Sequence, residues 1–271
     1  MAADTKVEEV STPKTIPIVS AMGRWTLEEL SALRTSWQLW LSVCANWRKI
    51  EWRATIHQAH EVTNRSALLV AVVMAFTGAI LIVQGGTQAQ RIVGDLSPIG
   101  PAFLQLLIRE FGPVITAFMI AARYGAGIAA EIGSMRVTEQ IDALRLAGAP
   151  PVQYLVLPRI YGGLLGMLPI IVFGSVIAYY TGAVTAFYGF GVGWDTYFST
   201  SFVKLADVAV GVAKSLTFGI AVPLMSCDAG LNARGGAAGV GQATTRAVIA
   251  SSVLVLFLDL VVGTLGYLLL G

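Results

Sequence analysis

Four ionisable residues, Arg109, Glu110, Lys214 and Asp259, interrupt stretches that are otherwise almost wholly apolar. Charge in hydrocarbon is costly unless it is paired or faces a wet cavity, so such residues mark ion locks or substrate paths. The four formal charges sum to zero. Two chemistries fit them: an ion-pair network that locks a helix bundle, or the polar lining of a path for a substrate. Both stay open at this point, and both can hold at once. Other candidates are weaker. His57 and His60, the only histidines, lie three apart with Glu61 beside them, fewer ligands than a metal site asks for. No G-x-S-x-G elbow exists for a nucleophilic serine. The stretch Gly235-Gly236-Ala237-Ala238-Gly239-Val240-Gly241 invites comparison with a phosphate loop, but Gln242-Ala243 stands where a Walker A loop needs Lys and then Ser or Thr.

The elements that must position the four charges follow from composition. The chain has 271 residues, 55% hydrophobic and 13% charged, with a mean hydropathy of +0.71. Soluble domains average about 25% charged. Residues 66–90 and 160–194 carry no charge at all, and a spanning helix needs about 20 apolar residues. These features predict an all-α integral membrane protein. They exclude a secreted domain, a cytosolic enzyme and a nucleic-acid binder relying on a basic face. Five spans are expected, at about 65–83, 98–130, 152–188, 202–227 and 247–270. If the second enters near Ile99, Arg109 lies about 15 Å deep; Lys214 and Asp259, each twelve residues from a span end, lie about 18 Å deep. In a core of about 30 Å the four share a level near the midplane. Gly162, Gly163, Gly166, Gly174 and Gly182 on the third span read as close helix packing.

Basic residues set the orientation. The segment up to Arg65 holds eight, the connection after span two holds Arg136, Arg145 and Arg159, and the one after span four holds Arg234 and Arg246. These alternate consistently, so the N-terminus is expected in the cytoplasm and the C-terminus outside. Residues 1–22 read as a flexible cytoplasmic tail without the apolar core of a signal peptide. Residues 23–62 read as an interfacial amphipathic helix region, with Trp25, Leu30, Leu33, Trp37, Leu41, Cys44 and Trp47 at helical spacing. Cys44 and Cys227 sit in such different surroundings that a disulfide framework is not expected. On the same side, residues 131–145 read as one short helix, apolar at 132, 135, 141 and 144, ended by Gly148 and Pro150-Pro151. Its exposed mixed-charge face suits docking of a soluble partner; lying flat on the membrane is the alternative.

Leu107-Ile108-Arg109-Glu110-Phe111-Gly112-Pro113 and the long run from Ala129 through Glu131-Ile132-Gly133-Ser134-Met135-Arg136-Val137-Thr138-Glu139-Gln140-Ile141-Asp142-Ala143-Leu144 strongly resemble the MlaE/YrbE family of ABC-transporter permeases. Ala243-Thr244-Thr245-Arg246-Ala247-Val248 and Leu258-Asp259 extend the likeness, which covers about residues 60–271. The resemblance implies a five-span permease domain over 63–271 in the bacterial inner membrane. It implies a homodimer that moves phospholipids or related lipids, a separate ATPase dimer carrying the ATP and Mg, and an MCE-domain protein assembly on the outer side. No cofactor and no nucleic acid are implied for this chain. Carried over by motif, Arg109, Glu110 and Lys214 border the lipid pocket; Asp259, at the same depth, is expected to be a structural partner to one of them. Glu131, Met135, Arg136, Glu139, Gln140, Asp142 and Leu144 belong to the helix that couples to the ATPase. Ala143 followed by Leu144 departs from the EAA loop of other ABC importers. Two other classes compete: a secondary transporter of a lipophilic substrate, disfavoured because five spans do not divide into equal inverted halves, and an intramembrane lipid-modifying enzyme, disfavoured for want of a nucleophile–base pair.

Overall fold

The computed structural model describes residues 50–92 and 94–270, together with residues 39, 41–43, 45 and 46. The expected tail and most of the amphipathic region lie outside the described residues. Seven helices follow: α1 (Trp52–Ile92), α2 (Ile99–Val137), α3 (Gln140–Leu146), α4 (Val152–Phe190), α5 (Trp194–Tyr197), α6 (Leu205–Leu231) and α7 (Gly236–Leu270). Among the described residues there is no strand. Five of the helices are long and apolar enough to cross a membrane. The shortest of the five, α6, has 27 residues, or about 40 Å against a hydrocarbon core of about 30 Å. Each therefore tilts or projects beyond the apolar layer.

Two spans begin earlier than their apolar cores suggest. Helix α1 starts at Trp52 and carries His57 and His60 in unbroken helix. Helix α7 starts at Gly236, so the glycine-rich stretch and Arg246 are helical rather than loop. Its N-terminal turns sit hard against the preceding turn, where a methyl on Gly239 would overlap the Arg234 carbonyl. The expected entry segment of the third crossing is a π turn, Val152–Val156, that forms the first turn of α4 without a break.

The spine of the bundle is the α1–α4 pair. Buried residues on α1 recur every fourth position from Val62 through Ser66, Val70, Met74, Gly78 and Ile82 to Gly86, the row that packs ridge into groove. A methyl on Gly78 would lie 2.1 Å from the Ala178 carbonyl oxygen, so only glycine permits that approach. The closeness lets side chains bond across: Thr63 Oγ1 donates to the Gly166 carbonyl at 3.2 Å, and Thr181 Oγ1 to the Ala75 carbonyl at 3.0 Å. The glycines expected to pack do so on two faces of α4. Gly162, Gly166, Gly174 and Gly182 meet α1, while Gly163 meets Gly219 of α6. The opposite face of α1 presents Leu68, Val72, Phe76 and Ile80 outward, as a lipid-facing helix should.

Candidate functional site

The charged residues of the second span owe their position to a local irregularity. Pro113 has no N–H to give the Arg109 carbonyl, so the helix loosens into a π turn over Leu107–Phe111, closed by the Gly112 N–H on the Leu107 carbonyl. Two glycines seat this turn. A methyl on Gly112 would strike Ser175 Oγ of α4, and one on Gly211 of α6 would lie 2.5 Å from the Ile108 carbonyl oxygen. Gly211 precedes Lys214 by three residues, so the contact that docks α6 also aims Lys214 at the π turn.

Lys214 is the centre of the site. Its side chain is 0% exposed, and its Nζ lies 2.5 Å from Glu110 Oε2 and 2.7 Å from Asp259 Oδ1, whose side chains keep 35% and 21% exposure. The Glu110 contact is a well-directed hydrogen bond. The Asp259 contact is a close ion pair lying off the hydrogen-bond direction, which leaves Oδ1 without a hydrogen bond. Helices α2, α6 and α7 thus meet at one ammonium. Gly263, one turn beyond Asp259, leaves space beside it: a methyl there would be 3.5 Å from Lys214 Nζ and 3.7 Å from Glu110 Oε1.

Arg109 does not join this triad. Its Nη1 pairs with Asp207 Oδ1 at 3.2 Å, and Gln105 Nε2 donates to Asp207 Oδ2 at 3.0 Å. Asp207 lies two helical turns before Lys214, so the expected single level of four charges is two adjoining clusters. Counting Asp207, two cations face three carboxylates, and the formal sum is −1 rather than zero. Asp207 is also the third residue of α6 and accepts the Lys204 backbone N–H at 3.0 Å, capping the helix. Lys204-x-x-Asp207 at a span start is the sequence signal that could have found it.

The run from Glu131 to Leu144 is not one helix. Helix α2 continues to Val137, Glu139 takes a left-handed φ of 62°, and α3 begins at Gln140. The reason lies in the apolar spacing. Ile132 and Ile141 are both fully buried, yet nine residues along a straight helix place them on opposite faces. Breaking the helix turns both inward. Asp142 staples the break, accepting from Arg136 at 2.9 Å and Arg145 at 3.0 Å. Met135 and Leu144 pack against the core, while Glu131, Glu139 and Gln140 are exposed. An apolar ridge missed from sequence, Ala143, Leu146 and Ala147, also faces outward, with Leu146 91% exposed.

His60 lines an open groove of about 350 Å³ with Thr63, Asn64, Ala67, Ile170 and Phe173. Among the described residues, no three His, Cys, Asp or Glu side chains gather as metal ligands would. A second cleft of about 440 Å³ lies between Asp95, Ser97 and Pro101 on one side and Thr196, Ser199 and Phe202 on the other. The Ser97 backbone N–H, helped by its hydroxyl, holds the Asp95 carboxyl below the usual carboxylate range. Neither cleft contains the charged triad, whose two carboxylates nevertheless remain partly exposed.

A bundle of five helices long and apolar enough to span a membrane, with a buried charged centre, a helix break and an exposed ridge on it, defines a multi-pass membrane protein. The family described as Permease MlaE matches residues 55–265. The chain belongs to this family and is the permease subunit of an ABC transporter, which implies an ATPase partner. It is 39% identical over 190 residues to a probable ABC transporter permease of Rickettsia bellii, covering 69% of this chain and 73% of the relative. A probable ABC transporter permease of Synechocystis is 34% identical over 244 residues, or 88% and 90% of the two chains. The intermembrane phospholipid transport system permease MlaE of Haemophilus influenzae is 27% identical over 256 residues, or 91% and 96%.

Proposed function

We propose that this permease moves phospholipids or related lipids between the bacterial inner membrane and an MCE-domain assembly on the outer side. Two copies of the chain work with a separate ATPase dimer that carries the ATP and Mg. The N-terminus is cytoplasmic and the C-terminus periplasmic, so the helix break meets the ATPase and the α1–α2 connection faces the MCE proteins. Arg109, Glu110 and Lys214 border the lipid path, and Asp259 sets the position of Lys214.

The observation that carries this reading is the incomplete cover of the triad. Glu110 and Asp259 remain partly exposed at 35% and 21%, beside a helix whose Ile249, Val253, Leu256, Phe257 and Leu260 all face outward. Charge left against lipid tails at mid-depth is unfavourable. A second copy laid over α7 would enclose the charges and create a shared polar cavity. The phospholipid named for the Haemophilus relative supplies a headgroup with the polarity such a cavity suits. The complete burial of Lys214 favours a second reading, in which the triad is an ion lock between helices.

The test is mass spectrometry of lipid retained by the purified permease–ATPase complex, beside transfer of labelled phospholipid from vesicles. Stoichiometric retained phospholipid and ATP-dependent transfer are expected. The permease freed of its ATPase should neither hydrolyse ATP nor transfer lipid. A complex that carries no lipid and turns over ATP without moving any would overturn the reading.

A further inference from the structure

Arg159 stands at the start of α4 with 6% of its side chain exposed, the most enclosed cation at the break end of the bundle among the described residues. Its Nη2 lies 2.8 Å from Glu131 Oε1 of α2, and its Nη1 donates to the Leu155 carbonyl at 2.7 Å, inside the π turn that opens α4. Its own carbonyl accepts from Tyr124 Oη at 3.5 Å, and that hydroxyl also donates to Gln58 Oε1 of α1 at 2.9 Å. Arg159 therefore links α4 to α2, and Tyr124 of α2 carries the contact on to α1, at the level where α2 leaves the bundle. Among the described residues the Arg159 Nε is enclosed without an acceptor, while its terminal nitrogens reach Glu131 and Leu155.

Two ion pairs, joined by the last turns of α2, lie between the break and this point. Asp142 of α3 binds Arg136 at the end of α2; Arg136 stands five residues from Glu131 on the same helix; Glu131 binds Arg159. The path runs from half-exposed groups into the enclosed one. We propose that Arg159 is a positioning residue that transmits displacement of α3 into α4, coupling ATP turnover to lipid movement. This rests on the reading of the chain as the lipid-moving half of an ATP-driven pair.

The pair is asymmetric in a way that separates coupling from simple folding. Glu131 is 61% exposed. Removing Arg159 leaves that carboxylate in water, whereas removing Glu131 strands an enclosed cation, the costlier change. Arg159→Met, close in length, should therefore assemble normally. Arg159→Lys keeps the charge, but one ammonium replaces the two arms that reach Glu131 and Leu155 together.

The experiment uses the full chain with its ATPase in vesicles of phosphatidylethanolamine and phosphatidylglycerol, measuring ATP hydrolysed and labelled phospholipid moved by the same preparation. Arg159→Met should keep hydrolysis within about twofold while lipid moved per ATP falls about tenfold, and Arg159→Lys should fall between it and the parent. Glu131→Gln should lower the melting temperature more than Arg159→Met does. Hydrolysis and transfer that decline together, a ratio unchanged in Arg159→Met, or loss of assembly in both Arg159 variants would each overturn the proposal. A parent complex that hydrolyses ATP but moves no lipid would count against the proposed function instead.

Discussion

Replacing Lys214 by Met separates a dry ion lock from a wet cavity. Glu110 and Asp259 both touch one ammonium, at 2.5 and 2.7 Å, so their bonded oxygens are at most about 5 Å apart. Without the lysine, two carboxylates at that distance repel by about 3 kcal/mol at an effective dielectric of about 20, but by under 1 kcal/mol where water screens them. A fully enclosed pair that loses one member loses about 3–5 kcal/mol. The 35% and 21% exposures of the carboxylates favour the screened end of that range once a second copy encloses water with them. At about 2–4 °C per kcal/mol for a chain near this size, the lock predicts a fall of about 10 °C in melting temperature and the cavity about 3 °C. The assay is the melting temperature of the assembled complex beside its lipid transfer, for Lys214→Met and for Lys214→Met with Glu110→Gln. The expected result is near-normal assembly with transfer lost in both. A large drop in melting temperature, with stability and transfer both recovered when Glu110 is neutralised, would refute the cavity.

Three further outcomes follow from the geometry. Asp207→Asn weakens the ion pair with Arg109 and the cap of α6, and should destabilise the permease by about 1–3 kcal/mol, read by thermal denaturation in detergent. Gly78→Val would drive a side chain into the Ala178 backbone; a loss of about 1–3 kcal/mol or failure to accumulate in the membrane is expected, while Gly85→Val, where nothing lies within 4 Å, should be tolerated. Leu146→Asp should reduce co-purification of the ATPase while the permease still inserts, because Leu146 is 91% exposed on α3; undiminished pull-down would show that the ridge is not where the ATPase docks.

Much of the fold was legible because hydrocarbon imposes a length and a polarity on each span. The five spans were readable from uncharged runs such as 66–90, and the packing glycines of α4 from their spacing. The helix ends were not, because polar turns can extend a helix past the apolar layer without altering its hydropathy. Helix α1 reaches back to Trp52 and α7 to Gly236 for that reason. The break at Glu139 was hidden because no Gly or Pro stands between Ser134 and Ala147 to mark it. Its signal was the nine-residue interval between Ile132 and Ile141, which one straight helix cannot bury on one side.

The charged site divides in the same way. Counting residues from a span end gives depth, at about 1.5 Å per residue, and depth alone put Glu110, Lys214 and Asp259 together. Direction around the helix axis is what decides partners, and counting carries none of it across a π turn. Arg109 and Glu110 are neighbours in sequence, but the turn made by Pro113 sends one to Asp207 and the other to Lys214. The consequence is electrostatic. A neutral set of four at one level needs nothing more, whereas five groups with one excess negative charge, three of them partly exposed, are not fully enclosed by the described residues. An ion lock alone gives no reason for that exposure, whereas the proposed lipid path would place water, a second copy or a polar headgroup against it.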